Sequence, residues 1–227
     1  MAIRLLPFRD YDEHDVVNLF KSAGDLSDFI DLSDATKRST AQGDAGVFVT
    51  VSGGDLTGDW DPVDVKSNPT SLLGKTDYPH VGRNTYPQAS LSVSPTAGSA
   101  TETCIGITLR QTVARDENGE NLLYNPIKKD ELFGVLPGEA VPVLSKGLIT
   151  LTADALTTEG SVGQVLETAA DGKVAPVARG SSINQVVGTI LAVGDRDDNS
   201  GSQGGTNVFG NAGLQTGKYY IVKIDCA

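Results

Sequence analysis

Short apolar runs, separated by clusters of turn-forming residues, dominate the hydrophobic pattern of this chain. Residues 47–51 form an apolar run that stops at Ser52-Gly53-Gly54, which is the pattern of a buried strand. Residues 101–115 alternate over a longer stretch, and the Asn118-Gly119 pair after them predicts a hairpin that returns through residues 120–124. The chain is therefore expected to be mainly β.

The last third of the chain carries the densest series of strand patterns. Two glycine-containing turns, Ser145-Lys146-Gly147 and Ala170-Asp171-Gly172, separate adjacent apolar runs as hairpin turns do. Closing many short antiparallel strands on themselves removes exposed sheet edges, so residues 134–227 are predicted to form a small antiparallel β-barrel. The six predicted strands cover residues 140–144, 148–152, 163–168, 173–178, 186–193 and 218–225.

A Gly-rich loop over residues 195–217 interrupts the last predicted hairpin. Loops of this length inside a compact domain are typically either functional or flexible. Val208, Phe209 and Leu214 give the loop apolar surface to bury, which favours a loop that becomes ordered against a partner over one that is only flexible. These three residues are predicted partner contacts.

The first residues of the chain are expected to form an N-terminal arm. Leu5, Leu6, Pro7 and Phe8 make a short apolar segment that proline interrupts, which suits an extended arm docked on a neighbouring surface better than a regular element. These four residues are therefore predicted to contact a partner as well.

Helical spacing of apolar residues follows the arm and predicts one short helix over residues 13–23. The residues at that spacing are Val16, Leu19, Phe20 and Ala23. With the acidic linker that comes next, the arm and helix make up residues 1–40. Residues 41–133 are predicted to form an irregular β-rich domain, which includes a long excursion over residues 55–99 and one helical turn at residues 128–133.

The formal net charge of −11 separates this chain from proteins that bind polyanions. Its 29 Asp and Glu residues outnumber its 18 Lys and Arg residues, whereas nucleic-acid contact needs clustered cations that displace counterions. Anionic membrane surfaces are disfavoured for the same reason. The chain also lacks the pattern of a membrane-spanning helix or a signal peptide, so we expect it to mature in a cytoplasm without binding nucleic acid or a membrane.

Residue types that support catalysis are scarce. His14 and His80 are the only histidines, and no phosphate-binding loop, dinucleotide fingerprint or nucleophile motif occurs. Asp195, Asp197 and Asn199 alternate as in a calcium loop, but the glycine and the terminal glutamate of such a loop are missing. The sequence therefore predicts a non-enzymatic protein with no cofactor and no metal site.

Two cysteines and one tryptophan leave alternative interpretations open. The spacing of Cys104 and Cys226 supports neither a metal site nor a redox motif, so both are interpreted as small packed side chains. A disulfide between them would require an oxidising compartment. Trp60 lies between Asp59 and Asp61, and a tryptophan beside carboxylates suits either a glycan-binding site or an anchor of the excursion on the core.

Two segments resemble virion structural proteins of large tailed bacteriophages. The opening Met-Ala-Ile-Arg-Leu-Leu-Pro-Phe-Arg, together with the later Asp-Val-Val-Asn-Leu-Phe, is similar to such proteins at the beginning of the chain. The segment Gly138-Glu139-Ala140-Val141-Pro142-Val143, the hairpin through Gly147 and Val187-Gly188-Thr189-Ile190-Leu191 resemble the small β-barrel of capsid decoration, or cement, proteins across the C-terminal third.

The resemblance implies a virion protein on the outer surface of a capsid, where it bridges subunits of the major capsid protein and stabilises the expanded shell. It also implies a homo-oligomer, with a trimer expected because a trimer fits the threefold junctions of a shell. The 55–99 excursion is larger than a minimal decoration protein requires, so a tail, baseplate or fibre-base component and a glycan-binding surface module remain the alternatives.

Overall fold

The protein is mainly β in the part of the chain that the structure describes. The computed structural model describes residues 4–22, 30–31, 45–53, 91–116, 118–136, 139–195 and 218–226. Antiparallel pairing predominates within these ranges, and they contain one α-helix. Trp60, Val208, Phe209 and Leu214 lie outside the described residues, as does the 55–90 part of the predicted excursion.

Strands follow one another with short connections along most of the described chain. In chain order they are β1 (Leu5–Asp10), β2 (Val16–Ser22), β3 (Ile30–Asp31), β4 (Phe48–Gly53), β5 (Leu91–Pro95), β6 (Cys104–Thr108), β7 (Gln111–Arg115), β8 (Gly134–Val135), β9 (Ala140–Leu144), β10 (Lys146–Thr152), β11 (Val165–Thr168), β12 (Val174–Val177), β13 (Val186–Asp195) and β14 (Lys218–Asp225). The helix α1 (Pro126–Glu131) lies between β7 and β8.

The strand predictions for the last third of the chain are confirmed. Strands β9 and β14 have the predicted bounds, and β10 to β13 differ from theirs by a residue or two at the ends. The strand predicted over residues 47–51 is confirmed as β4. Apolar runs bounded by turn residues are sufficient to locate these strands because both signals are local.

The predicted closed barrel over residues 134–227 is wrong. Strands β10 to β14 instead belong to an open antiparallel sheet of six strands in the order β1-β10-β14-β13-β11-β12. Its two outer strands in the described chain are β1, which the arm supplies, and β12. Strand β9 leaves this group altogether and pairs with β2 and β6.

A second group of five strands closes on itself through its hydrogen bonding. Strand β2 pairs with β5 and β9, β4 pairs with β5 and β6, and β6 pairs with β9, so the order β2-β5-β4-β6-β9 returns to its start. We call this group the five-stranded ring. Gly106 allows β6 to approach β9 closely, because a Cβ at this position would collide with the carbonyl oxygen of Leu144.

The N-terminal helix prediction is wrong as well. Residues Glu13–Asp15 form a single 3-10 turn, and the chain then enters β2, which pairs with β9 over Val16 to Lys21. The side chain of Leu19, which a helix would have buried, is 60% exposed. Pairing with a distant strand therefore overrides the local helical spacing, since each β2 residue gains ladder bonds and packing that a short isolated helix lacks.

The predicted arm docks on its own chain. Strand β1 pairs with β10 in antiparallel register, with Leu5 opposite Leu151. Before it, the buried Arg4 donates hydrogen bonds from its guanidinium to the carbonyl oxygens of Asp171 and Gly172 at 2.9 and 3.3 Å. The start of the chain is thus part of the six-stranded sheet.

The stretch predicted as one long strand over residues 101–115 divides into β6 and β7. The chain bends at Leu109, directly after β6, although its backbone N–H still donates to the carbonyl of Pro142 in β9 at 2.9 Å. The hairpin predicted after β7 is reduced to one bridge, between Arg115 and Asn121, and residues Leu122–Tyr124 then form a 3-10 turn. The helical turn predicted at residues 128–133 corresponds to α1, which begins two residues earlier.

One main hydrophobic core joins the ring to the six-stranded sheet. It takes Phe48, Cys104, Ile107 and Leu144 from the ring, and β10, β11, β13 and β14 contribute the inward side chains of the sheet. The sheet residues in this core include Ile149, Leu151, Leu166, Val187, Ile190, Tyr220, Val222 and Ile224. The core and the β-ladders both include strands that come before residue 134 in the sequence and strands that come after it. The predicted domain boundary at that residue therefore falls within one continuously packed region.

Candidate contact surface

The helix α1 is short, and its two ends are built differently. At its start the side chain of Asn125 accepts a hydrogen bond from the backbone N–H of Lys128 at 3.3 Å, and Pro126 occupies the first turn. This is a usual helix beginning, since proline has no N–H to leave unpaired there. At its end the backbone N–H of Leu132 donates to the carbonyl of Lys128 at 3.0 Å.

Phe133 follows the end of α1 in a left-handed backbone conformation with φ of 50°. Glycine is the usual residue at this position of a helix end, because a side chain there costs about 1 kcal/mol. In this chain the glycine comes one residue later, as Gly134, and the left-handed position holds a phenylalanine whose side chain is 70% exposed. The cost is therefore not recovered by burying the ring.

Two more large apolar side chains of the α1 segment are exposed to solvent. Tyr124 precedes the helix and is 80% exposed, and Ile127 in its first turn is 74% exposed. Six helical residues span about 9 Å, so the three residues belong to one short segment of the chain around α1. We call Tyr124, Ile127 and Phe133 the α1 surface. Exposed aromatic residues of this kind are enriched in protein–protein interfaces.

A cleft of about 430 Å³ is lined in part by Lys129 of α1 and by Gly134, which follows Phe133. Lys129 of α1 forms an ion pair with Glu139 at 2.7 Å, and the Glu139 carboxylate also accepts a hydrogen bond from the backbone N–H of Leu136 at 2.9 Å. Arg110 in the same cleft is exposed and has no hydrogen-bond or ion-pair partner among the described residues. The cleft is lined by Asn18, Arg110, Lys129, Gly134, Val135, Glu139, Ala140 and Pro142.

The charge of this cleft differs in sign from that of the whole chain. Its lining carries two cations and one carboxylate, whereas the chain has a formal net charge of −11. Arginine also recognises carboxylates through two parallel hydrogen bonds. Arg110 is thus available for an acidic group of a partner that contacts this cleft.

Both outer strands of the six-stranded sheet contain a proline. Pro7 lies in β1 and Pro176 in β12, where it is opposite Leu166 of β11. Proline has no N–H to offer an added strand, and natural proteins use it at sheet edges to prevent unwanted pairing. This favours contact through side chains over strand addition.

The four residues of the predicted arm contact differ in their exposure to solvent. Leu5 and Leu6 are buried within the protein itself, whereas Pro7 is exposed and Phe8 is 62% exposed. Of the four, Pro7 and Phe8 therefore remain accessible to a partner. The other predicted contacts, Val208, Phe209 and Leu214, and the predicted glycan contact Trp60 lie outside the described residues.

Sequence reasoning missed the α1 surface. Asn125 followed by Pro126 is a recognisable helix start, and it would have placed Ile127 in the first turn, but neither Ile127 nor Tyr124 shows from its neighbours that it is exposed. The left-handed conformation of Phe133 gives no sequence signal at all, because Gly134 beside it is the residue that pattern reasoning would assign to that position.

Two aspartates of the described chain accept hydrogen bonds from backbone N–H groups close to them in the sequence. The buried carboxylate of Asp116 accepts hydrogen bonds from the backbone N–H groups of Asn118 and Glu120 at 2.9 and 2.8 Å. Asp12 accepts one from the backbone N–H of His14 at 2.9 Å. Across the described ranges, no group of three or more His, Cys, Asp or Glu side chains is placed to hold a metal ion.

The described chain was expected to have no membrane-spanning helix, and its helices are short. Within the described part of the chain, α1 is too short and too polar to cross a membrane, and no other helix there has the length to do so. In comparisons with known proteins, no family model, no curated protein and no solved structure matches this chain.

Proposed function

We propose that this chain is a structural virion protein that binds the outer surface of a phage capsid and stabilises the expanded shell by bridging subunits of the major capsid protein. The observation that carries the proposal is Phe133, an exposed aromatic side chain in a backbone conformation that favours glycine. Residues held in such conformations are concentrated at sites of function, and a contact residue explains an outward aromatic ring that adds nothing to the core.

The surroundings of Phe133 agree with a contact between proteins. Tyr124 and Ile127 supply further apolar surface, and Arg110 supplies an accessible cation for an acidic group on the capsid subunit. Such an interface is small, but many copies on one closed shell stabilise it together, because each subunit held at two points loses freedom to separate.

The net charge favours the outer face of the shell over the inner face. A chain with a net charge of −11 is repelled by packaged DNA. Proline in both outer strands of the six-stranded sheet disfavours uncontrolled strand pairing between crowded copies. Self-association into a homo-oligomer at the threefold junctions is part of the proposal and relies on the resemblance to decoration proteins.

Co-sedimentation with empty capsids tests the proposal directly. Purified protein is mixed with expanded, DNA-free capsids of the presumed phage and, separately, with unexpanded precursor shells. We expect saturable binding to expanded shells in many copies per particle and little binding to precursor shells. Binding to neither shell would contradict the proposal, and binding to isolated tails in a few copies would replace it with a tail or baseplate role.

A matched pair of variants identifies the surface in the same experiment. Phe133→Ser removes the ring from the α1 surface, and Ile183→Ser removes an even more exposed apolar side chain, at 82%, that does not belong to the α1 surface. We expect Phe133→Ser to weaken binding at least tenfold, as central aromatic contacts do, and Ile183→Ser to bind normally. Equal binding of both variants would place the contact elsewhere on the protein.

A further inference from the structure

Cys104 and Cys226 come together although 121 residues separate them in the chain. Cys104 is the first residue of β6 in the five-stranded ring, and Cys226 directly follows β14 in the six-stranded sheet. Both side chains are buried in the main core, and both are free thiols. They lie where the ring packs on the sheet.

The segment leading into β13 contacts both cysteines. The side-chain oxygen of Gln185 accepts a hydrogen bond from the backbone N–H of Cys104 at 2.6 Å, and its amide nitrogen donates to the carbonyl of Cys104 at 3.2 Å. Two residues further on, the carbonyl oxygen of Val187 lies 4.0 Å from the sulfur of Cys226. Both cysteines therefore contact the same short segment at the start of β13, Cys104 through Gln185 and Cys226 through Val187.

Backbone contacts also place the two cysteines near each other. The backbone N–H of Cys226 donates to the carbonyl of Ser145 at 3.0 Å, and the preceding residue, Leu144, pairs with Ile107 of β6. A hydrogen bond with the Cys104 side chain raises the pKa of the Cys226 thiol, and burial raises it further. In this environment the Cys226 thiol is protonated near neutral pH, and a protonated thiol reacts slowly. The pair is thus close together and kept reduced in the folded protein unless the site opens.

We infer that Cys104 and Cys226 form a reversible disulfide that joins β6 of the ring to the end of β14. The reaction takes a small-molecule disulfide such as oxidised glutathione as the oxidant. One cysteine thiolate attacks that disulfide and forms a mixed disulfide, which releases the first glutathione thiolate. The second cysteine then attacks the mixed disulfide and releases the second. Two protons and two electrons leave the protein, and both glutathione molecules end reduced.

The cross-link acts on the contact between the two strand groups. It closes a loop of more than 100 residues, and a cross-link over so long a loop restricts the unfolded chain strongly. The oxidised protein is therefore more resistant to heat than the reduced protein. Because both thiols are buried, the reaction needs local opening at the end of β14, and partial denaturation or higher pH accelerates it. This inference depends on neither the α1 surface nor the proposed function.

Intact mass measurement of the full-length protein tests the inference. Reduced protein is incubated with oxidised glutathione, with and without a urea concentration below the unfolding transition. The expected product is a monomer lighter by two hydrogen atoms, with Cys104 and Cys226 in one cross-linked peptide after digestion without reductant. Its melting temperature is expected to rise by about 5 to 10 °C and to return when reductant is added.

Two variants and three contrary outcomes complete the test. Cys104→Ala and Cys226→Ala each leave one thiol, so neither variant is expected to lose hydrogen or to gain thermal stability under the same treatment. The inference is overturned if the wild-type protein instead keeps a glutathione on each cysteine, forms a disulfide-linked dimer, or stays fully reduced in the presence of urea. The wild-type mass decides the matter even if a variant does not fold.

Discussion

The side-chain amide of Gln111, the first residue of β7, donates a hydrogen bond to the backbone carbonyl of Leu132 at the end of α1. Gln111 is buried, and the carbonyl it contacts immediately precedes Phe133. This bond therefore ties the helix end, where the backbone turns left-handed, to the neighbouring strand. The position of the exposed Phe133 ring depends on a buried polar side chain more than 20 residues earlier.

Removing this bond is expected to destabilise the helix end. Gln111→Met keeps the approximate length of the side chain but cannot donate, so the Leu132 carbonyl loses its partner. We expect the free energy of unfolding to fall by about 1 to 2 kcal/mol, the cost of leaving one partly buried polar group unpaired. Urea denaturation followed by circular dichroism measures it, and an unchanged midpoint would show that water replaces the amide.

Phe133→Gly is expected to affect stability and binding in opposite directions. Glycine adopts φ of 50° without a steric cost, so the free energy of unfolding should stay unchanged or rise by up to about 1 kcal/mol. Binding to expanded shells should weaken, because the ring is lost. Urea denaturation and co-sedimentation measure the two effects on the same preparation. A clear loss of stability would mean that Phe133 packs within the protein.

Arg4 is expected to be a structural residue of the N-terminal segment. Arg4→Met removes the two donors to the carbonyls of Asp171 and Gly172, and we expect a loss of about 2 to 3 kcal/mol, since these bonds come from a charged, buried group. The control is Phe8→Ser, which changes an exposed side chain of β1 and should alter stability by less than about 0.5 kcal/mol. Thermal unfolding distinguishes them, and equal melting temperatures would contradict this role.

Deleting residues 1–10 would not isolate a partner contact of the N-terminal arm. The deletion would remove Arg4 and the whole of β1. This loss would expose the backbone hydrogen-bonding groups of β10 and part of the main core. We expect the truncated protein to unfold at a lower temperature or to aggregate, so lost capsid binding alone would not identify the arm as the contact. Phe8→Ser tests the exposed part of the arm without this loss.

Pro176 is expected to protect the β12 edge of the six-stranded sheet. Pro176→Val adds an N–H and a β-forming side chain to an outer strand, which makes pairing between copies easier. The variant should form larger species as its concentration rises, whereas the wild-type protein should keep its oligomeric state. Light scattering over a concentration series measures this. Identical scattering of both proteins would show that other features block the edge.

The sequence alone determined the features that depend on neighbouring residues. The strands β9 to β14 were predicted nearly at their observed bounds, because apolar runs and glycine turns are local signals. The start of α1 could have been predicted in the same way from Asn125 and Pro126. The failed helix over residues 13–23 marks the limit of such signals, since apolar residues spaced as in β2 fit a helix and a strand.

Only the tertiary structure decided which strands pair and which side chains meet. Strand β9 joins β2 and β6, and β1 joins β10, because these pairings bury apolar side chains of both partners in the hydrophobic clusters of the protein. The same packing brings Cys104 to Cys226 and exposes Phe133. Pairing between distant strands gains its free energy from many contacts made at once, and no short stretch of the sequence contains both partners of such a contact.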